Sequence, residues 1–86
     1  MFGSIVLSLA GRDKGGLYIV TELKENFALI VDGKVHKVEN PKLKKLKHLE
    51  AKGLMDDSIA EKIKNGSKIT NQEIKRVLKK FGGSNV

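Results

Sequence analysis

Four runs of five to seven β-prone residues, each cut short by a turn signal, fill residues 4–38 and constrain the fold more than any other feature. SIVLSL (4–9) sets Ile5, Leu7 and Leu9 on one alternating face. AGRDKGG (10–16) stops it with three glycines and three charged side chains. Glycine accepts positive φ and close backbone approach, so this stretch reads as a tight, exposed loop. LYIVTEL (17–23) is rich in the β-branched and aromatic residues favoured on a pleated surface. Lys24-Glu25-Asn26 forms a polar turn into FALIVD (27–32), apolar enough to be a central strand. Asp32-Gly33 suits a two-residue type I′ hairpin, returning through KVHKV (34–38) with Val35 and Val38 inward and Lys34 outward. Strands this short, joined this tightly, predict a small antiparallel barrel, in which closure removes exposed edges.

Pro41 breaks the pattern, and KLKKLKHLEAK (42–52) reads two ways. Leu43, Leu46 and Leu49 at spacing three fit a helix capped by Asn40 with Pro41 at its first position. Leu46–Glu50 equally fits a final barrel strand.

The C-terminal third changes character. Ser58-Ile59-Ala60-Glu61 reads as a capping box opening a helix that ends near Asn65-Gly66. Thr70-Asn71-Gln72-Glu73 repeats the signature, and behind it Ile74, Val77, Leu78 and Phe81 make one apolar stripe. Gly82-Gly83 closes this second helix, and Ser84-Asn85-Val86 is expected to fray. The expected organisation is a barrel over residues 1–50 and a helical extension over 51–86. Phe2, Phe27 and Phe81 are assigned to the core or to the contact between the two parts.

Charge is unevenly spread. Residues 1–33 carry a net −1, residues 34–52 a net +5, and residues 53–86 a net +3. A near-neutral front followed by a dense cationic block is the asymmetry of a polyanion binder. With no cysteine, disulfides and thiolate metal sites are excluded. No apolar run approaches the ~20 residues needed to cross a bilayer, and Met1-Phe2-Gly3-Ser4 lacks the features of a secretory signal. The expected location is the cytoplasm, with no membrane partner.

SIVLSLAGRDKGGLYIVTEL resembles the KOW motif, a strand–loop–strand unit of several ribosomal proteins and of bacterial transcription elongation factors. Gly11, Arg12, Lys14 and Gly15 match the glycines and basic residues of its loop. The likeness continues through FALIVDG (27–33) and PKLKKLKHL (41–49). Over Ser4 to about Glu50 the chain is similar to the KOW-containing large-subunit proteins of archaeal and eukaryotic ribosomes, and to small bacterial KOW-domain RNA-binding proteins. Many KOW motifs carry a further glycine where Tyr18 stands here. The resemblance implies an SH3-like barrel of about five strands with LKHL as the fifth. It also implies RNA as partner, ribosomal RNA first and ribosomal proteins beside it.

Two candidate RNA-binding surfaces follow. In the loop, Arg12 and Lys14 are long cationic donors, and the amides of Gly11 and Gly15 are unshielded by a Cβ. The second surface is Lys42, Lys44, Lys45, Lys47 and His48, a cationic row whose contact with a phosphate backbone would be strongly salt-sensitive. Tyr18 is assigned to packing rather than stacking. Lys75, Arg76, Lys79 and Lys80 lie on the exposed side of the last helix, either as the recognition face of a helix-turn-helix or as solvated charge beside the apolar stripe.

No nucleophile–base arrangement accompanies the serines and threonines, and the glycine loop lacks P-loop spacing. The reading is a non-enzymatic RNA binder with no cofactor, metal or small-molecule substrate. The rival is a protein–protein adaptor using the barrel and the helical tail.

Overall fold

The computed structural model describes residues 3–82, and its architecture is mainly β: five antiparallel strands in one open sheet, with two helices. The strands are β1 (Ser4–Ser8), β2 (Leu17–Lys24), β3 (Phe27–Val31), β4 (Lys42–Lys45) and β5 (Leu49–Met55), in spatial order β4-β3-β2-β1-β5. Helix α1 spans Asp57–Lys64 and α2 spans Asn71–Lys80. Among the described residues no helix is long and apolar enough to cross a membrane.

Register explains why consecutive residues of β1 and β2 are both buried. Ile5 pairs with Ile19 and Ile19 with Val31, while Val6 pairs with Tyr18 and Val20 with Ile30. Paired residues share a face, so the sheet carries two apolar faces. Ile5, Ile19 and Val31 meet Ile59 of α1 and Ile74, Val77 and Leu78 of α2 in one cluster. Val6, Tyr18, Val20, Ala28 and Ile30 form the other, with Leu46 and Leu49 packed against it. The single inward face expected for the first strand is therefore corrected. Val6 and Ser8 are buried opposite Ile5, and Leu9 is exposed.

The five strands are consistent with the small β-barrel-like fold expected, but among the described residues no hydrogen-bonded ladder joins the two ends of the sheet. β4 and β5 are the edges of the sheet, and one 3-10 turn, Leu46–His48, links them in place of a hydrogen-bonded ladder. That turn is pinned by Leu46 N–H donating to the Asn26 carbonyl (2.9 Å) and Leu9 N–H donating to the His48 carbonyl (2.8 Å). Of the two readings of residues 42–52 the helix fails, and the strand holds with shifted bounds. β4 pairs with β3 from Phe27↔Lys45 to Ile30↔Lys42, so no helix follows Pro41. The final strand starts at Leu49, after the turn, and continues through Met55 beside Ser4.

The Asp-Gly hairpin does not form. The Asp32 carboxylate accepts from the N–H groups of Lys34, Val35 and His36 (2.9, 3.0 and 2.9 Å), taking the donors that a return strand would give to a ladder. Residues 34–38 are a loop instead, with Val35 turned outward at 72% exposure. Val38 does face inward, packing on the helix-side cluster. Its N–H donates to Asn71 Oδ1 (2.8 Å), which ties the loop to the start of α2.

Both helices begin on side-chain caps, one of them shifted from expectation. Asp56 caps α1, its carboxylate accepting from Ile59 N–H (3.0 Å), so Ser58 lies inside the first turn. The chain leaves α1 through Asn65 and Gly66, as predicted. The Thr70–Glu73 capping box is present, and α2 buries Ile74, Val77 and Leu78 with Phe81 half-buried beside them. Phe2, Gly83 and Ser84-Asn85-Val86 lie outside the described residues.

Candidate nucleic-acid interface

The loop between β1 and β2 is built by its own backbone. A 3-10 turn over Gly11–Asp13 is closed by Lys14 N–H donating to the Gly11 carbonyl (3.2 Å). Gly15 N–H donates to the Ser8 carbonyl (2.8 Å), and Gly16 N–H to the Asp13 carbonyl (3.0 Å). Gly11 and Gly15 sit at φ +76° and +88°, corners that a side chain would strain. The Gly15 amide is thus spent inside the hairpin, and its contribution is the turn that holds Arg12 and Lys14 out in solvent.

Asp13 is the hub of the site. Its Oδ1 lies 2.8 Å from His36 Nε2, and its Oδ2 lies 3.4 Å from Lys44 Nζ. Lys44 Nζ also donates to the Ala10 carbonyl (2.8 Å), and its side chain is only 10% exposed. These bonds join three pieces far apart in sequence: the 11–13 turn, the loop made by Asp32, and β4. Burial pushes the Asp13 carboxyl upward. The His36 hydrogen bond and the charges of His36 and Lys44 outweigh it and hold the group below the ordinary carboxylate range. Tyr18, 5% exposed, packs its ring 5.8 Å from that of His36. Burial first, then the charges of Asp13 and Asp32, push its hydroxyl up to about 12. Gly16 makes room for it, since a Cβ there would meet the Tyr18 hydroxyl at 2.7 Å.

Around this hub lies a groove of about 620 Å³. Arg12 and Gly11 line it from one loop, Lys34, Val35 and His36 from the other, and Lys42 and Lys44 from β4. Asp13 faces Lys44, and the Asp32 carboxylate is engaged by backbone amides. Among the described residues, Arg12, Lys34 and Lys42 have no ion-pair partner, so with Asp13 set against Lys44 the lining carries three unpaired cations against the one carboxylate of Asp32.

No family model matches the chain, and no curated protein matches it. The functional reading therefore rests on this geometry and on the residue patterns of the chain.

The nine predicted residues divide three ways. Gly11, Arg12, Lys42 and Lys44 come together at the groove. Lys45 and Lys47 instead line a separate cleft of about 500 Å³ with Asn26, Phe27 and Leu46. Strand alternation is the reason: Lys42 and Lys44 pair with Ile30 and Ala28, whereas Lys45 pairs with Phe27 on the opposite face. Lys14 and Gly15 line neither space, and His48 is half-buried in the connector. Sequence reasoning missed Lys34, His36 and the anchoring role of Asp13. The Asp32-Gly33 pair signals a turn, but nothing local signals that the turn meets a residue some twenty positions earlier.

An aspartate–histidine pair is also half of a nucleophile-activating set. The groove walls offer it no serine, threonine or cysteine, and the nearby Ser8 hydroxyl donates to the Ala10 carbonyl (3.2 Å). Among the described residues no three His, Asp or Glu side chains gather as a metal site. What the arrangement supplies is fixed positive charge with guanidinium and ammonium donors, suited to phosphate.

Proposed function

We propose that this chain is a non-enzymatic RNA-binding protein of the KOW type with an SH3-like barrel, working in the cytoplasm on or near the ribosome. RNA lies with its phosphates in the groove between the 11–13 turn and the 34–36 loop. The observation that carries this reading is the trio Arg12, Lys34 and Lys42, without ion-pair partners among the described residues and set on a frame that Asp13, His36 and Lys44 hold together. Arg12 presents a fork able to grip one phosphate through two parallel bonds, while the lysines act as point charges.

Co-sedimentation with purified ribosomal subunits at low and high salt tests it, with Arg12→Glu/Lys42→Glu beside the wild type. Migration with one subunit, weakened by salt and lost on charge reversal, is the expected result. A folded wild type that stays at the top of the gradient at both salts removes the ribosome from the reading.

One observation favours an adaptor role instead: Leu43 is 49% exposed on the outer edge strand, near the half-buried Phe27 and Leu46 of the second cleft. A partner docking there would tolerate the Arg12 and Lys42 reversals and fail with Leu43→Asp.

A further inference from the structure

The four cations of α2 are not equivalent. Asn71 and Lys75, one turn apart, form the ridge that meets the loop after Asp32. A Cβ at Gly33 would lie 2.5 Å from the Asn71 carbonyl oxygen and 3.1 Å from Lys75 Cγ. Lys75 therefore packs against Gly33, the chain neighbour of Lys34, which lines the groove. Lys79 follows on the same ridge, about 6 Å further along the axis. Neither lysine has an ion-pair partner among the described residues.

Arg76 and Lys80 look the other way. They line a small cleft with Asp56 and Glu73, and Lys80 Nζ lies 3.5 Å from Asp56 Oδ2. Asp56 pairs with Lys80, and Arg76, which has no ion-pair partner among the described residues, lines this cleft rather than the groove.

We propose that the RNA track continues from the groove onto α2 along Lys34, Lys75 and Lys79, so that one phosphodiester backbone crosses both the sheet end and the helix. Arg76 and Lys80 stand outside it. This inference rests on the RNA-binding reading above and extends it to a second element. It also gives the helix a role without groove insertion: the ridge contacts phosphates, so binding is uniform across sequences.

The test measures affinity for size-fractionated ribosomal RNA fragments, short and long, across a salt series. Each variant is first checked for wild-type circular dichroism and thermal unfolding. Lys75→Gln/Lys79→Gln removes two charges while keeping Cγ against Gly33 and good helix propensity. On long fragments the slope of log K against log salt should flatten by about 1.4 to 1.8, the value for two lost phosphate contacts. On the shortest fragments, which fill only the groove, the loss should shrink. Arg76→Gln/Lys80→Gln makes the same change in net charge and should leave the slope near wild type.

Equal losses in the two helix variants would mean a net-charge effect, and would overturn the track. A wild-type slope in Lys75→Gln/Lys79→Gln would also overturn it. If Arg12→Gln/Lys42→Gln still lowers the slope in that case, the groove reading survives alone. Absence of salt-sensitive binding by the wild type removes both.

Discussion

Asp13 and Tyr18 show how a loop residue and a strand residue share one electrostatic environment. Tyr18 is buried beside the carboxylates of Asp13 and Asp32, so its neutral form is favoured in the fold. The sign follows from linkage. A folded pKa raised to about 12, against an unfolded value near 10, gives stability that is full below pH ~10 and lost as pH rises toward 12. The loss over that window is on the order of 2–3 kcal/mol. Tyr18 is the chain's sole tyrosine and there is no tryptophan, so phenolate absorbance reads this one group. Its midpoint should fall toward 10 in urea, and should drop part of the way in folded Asp13→Asn. A native midpoint near 10 would mean that the ring is solvated.

At the scale of elements, caps and loops decide where structure starts and stops. Asp56 rather than Ser58 begins α1, although both are good capping residues. The choice is made by packing. Beginning at Asp57 puts Ile59 into the cluster with Ile74 and Leu78. Asp56→Ala should then lower stability by about 1 kcal/mol, and Ser58→Ala by less than about 0.5, measured by urea unfolding. The reverse order would place the cap at Ser58. The same competition explains the loop after β3. Asp-Gly permits a tight hairpin, but the Asp32 side chain captures three amides and turns the chain into a compact knot that Asn71 then holds.

At the scale of the molecule, the sheet depends on the helices. Ile5, Ile19 and Val31 are fully buried only because α1 and α2 cover them. Exposing three β-branched side chains forfeits roughly 1.5–3 kcal/mol each, a large share of what a domain this small can hold. A chain ending at Met55 should therefore lack a cooperative thermal transition, whereas the full chain should show one by calorimetry. A sharp transition in the short chain would make the sheet self-sufficient. The helices also enlarge the charged surface, since the ridge of Asn71 and Lys75 rests on the loop that carries Lys34.

Local chemistry determined much of this protein. The β-prone runs at 17–23 and 27–32, the glycine corners of the 10–16 loop, the Thr70–Glu73 box and the stripe Ile74–Val77–Leu78 each specify their structure within a few residues, and they stand as read. Basic residues around Arg12 and along 42–47 were legible as a cationic surface for the same reason. Tertiary structure alone decided which of them meet. Whether residues 42–52 become helix or strand depends on the open edge of β3. Which lysines of β4 face the groove depends on register with Ala28 and Ile30. Asp13, His36 and Lys44 come together because the sheet brings three distant segments to one end. Hydrogen bonds between neighbours can be read along a chain, whereas a groove is made by residues that only the folded sheet makes neighbours.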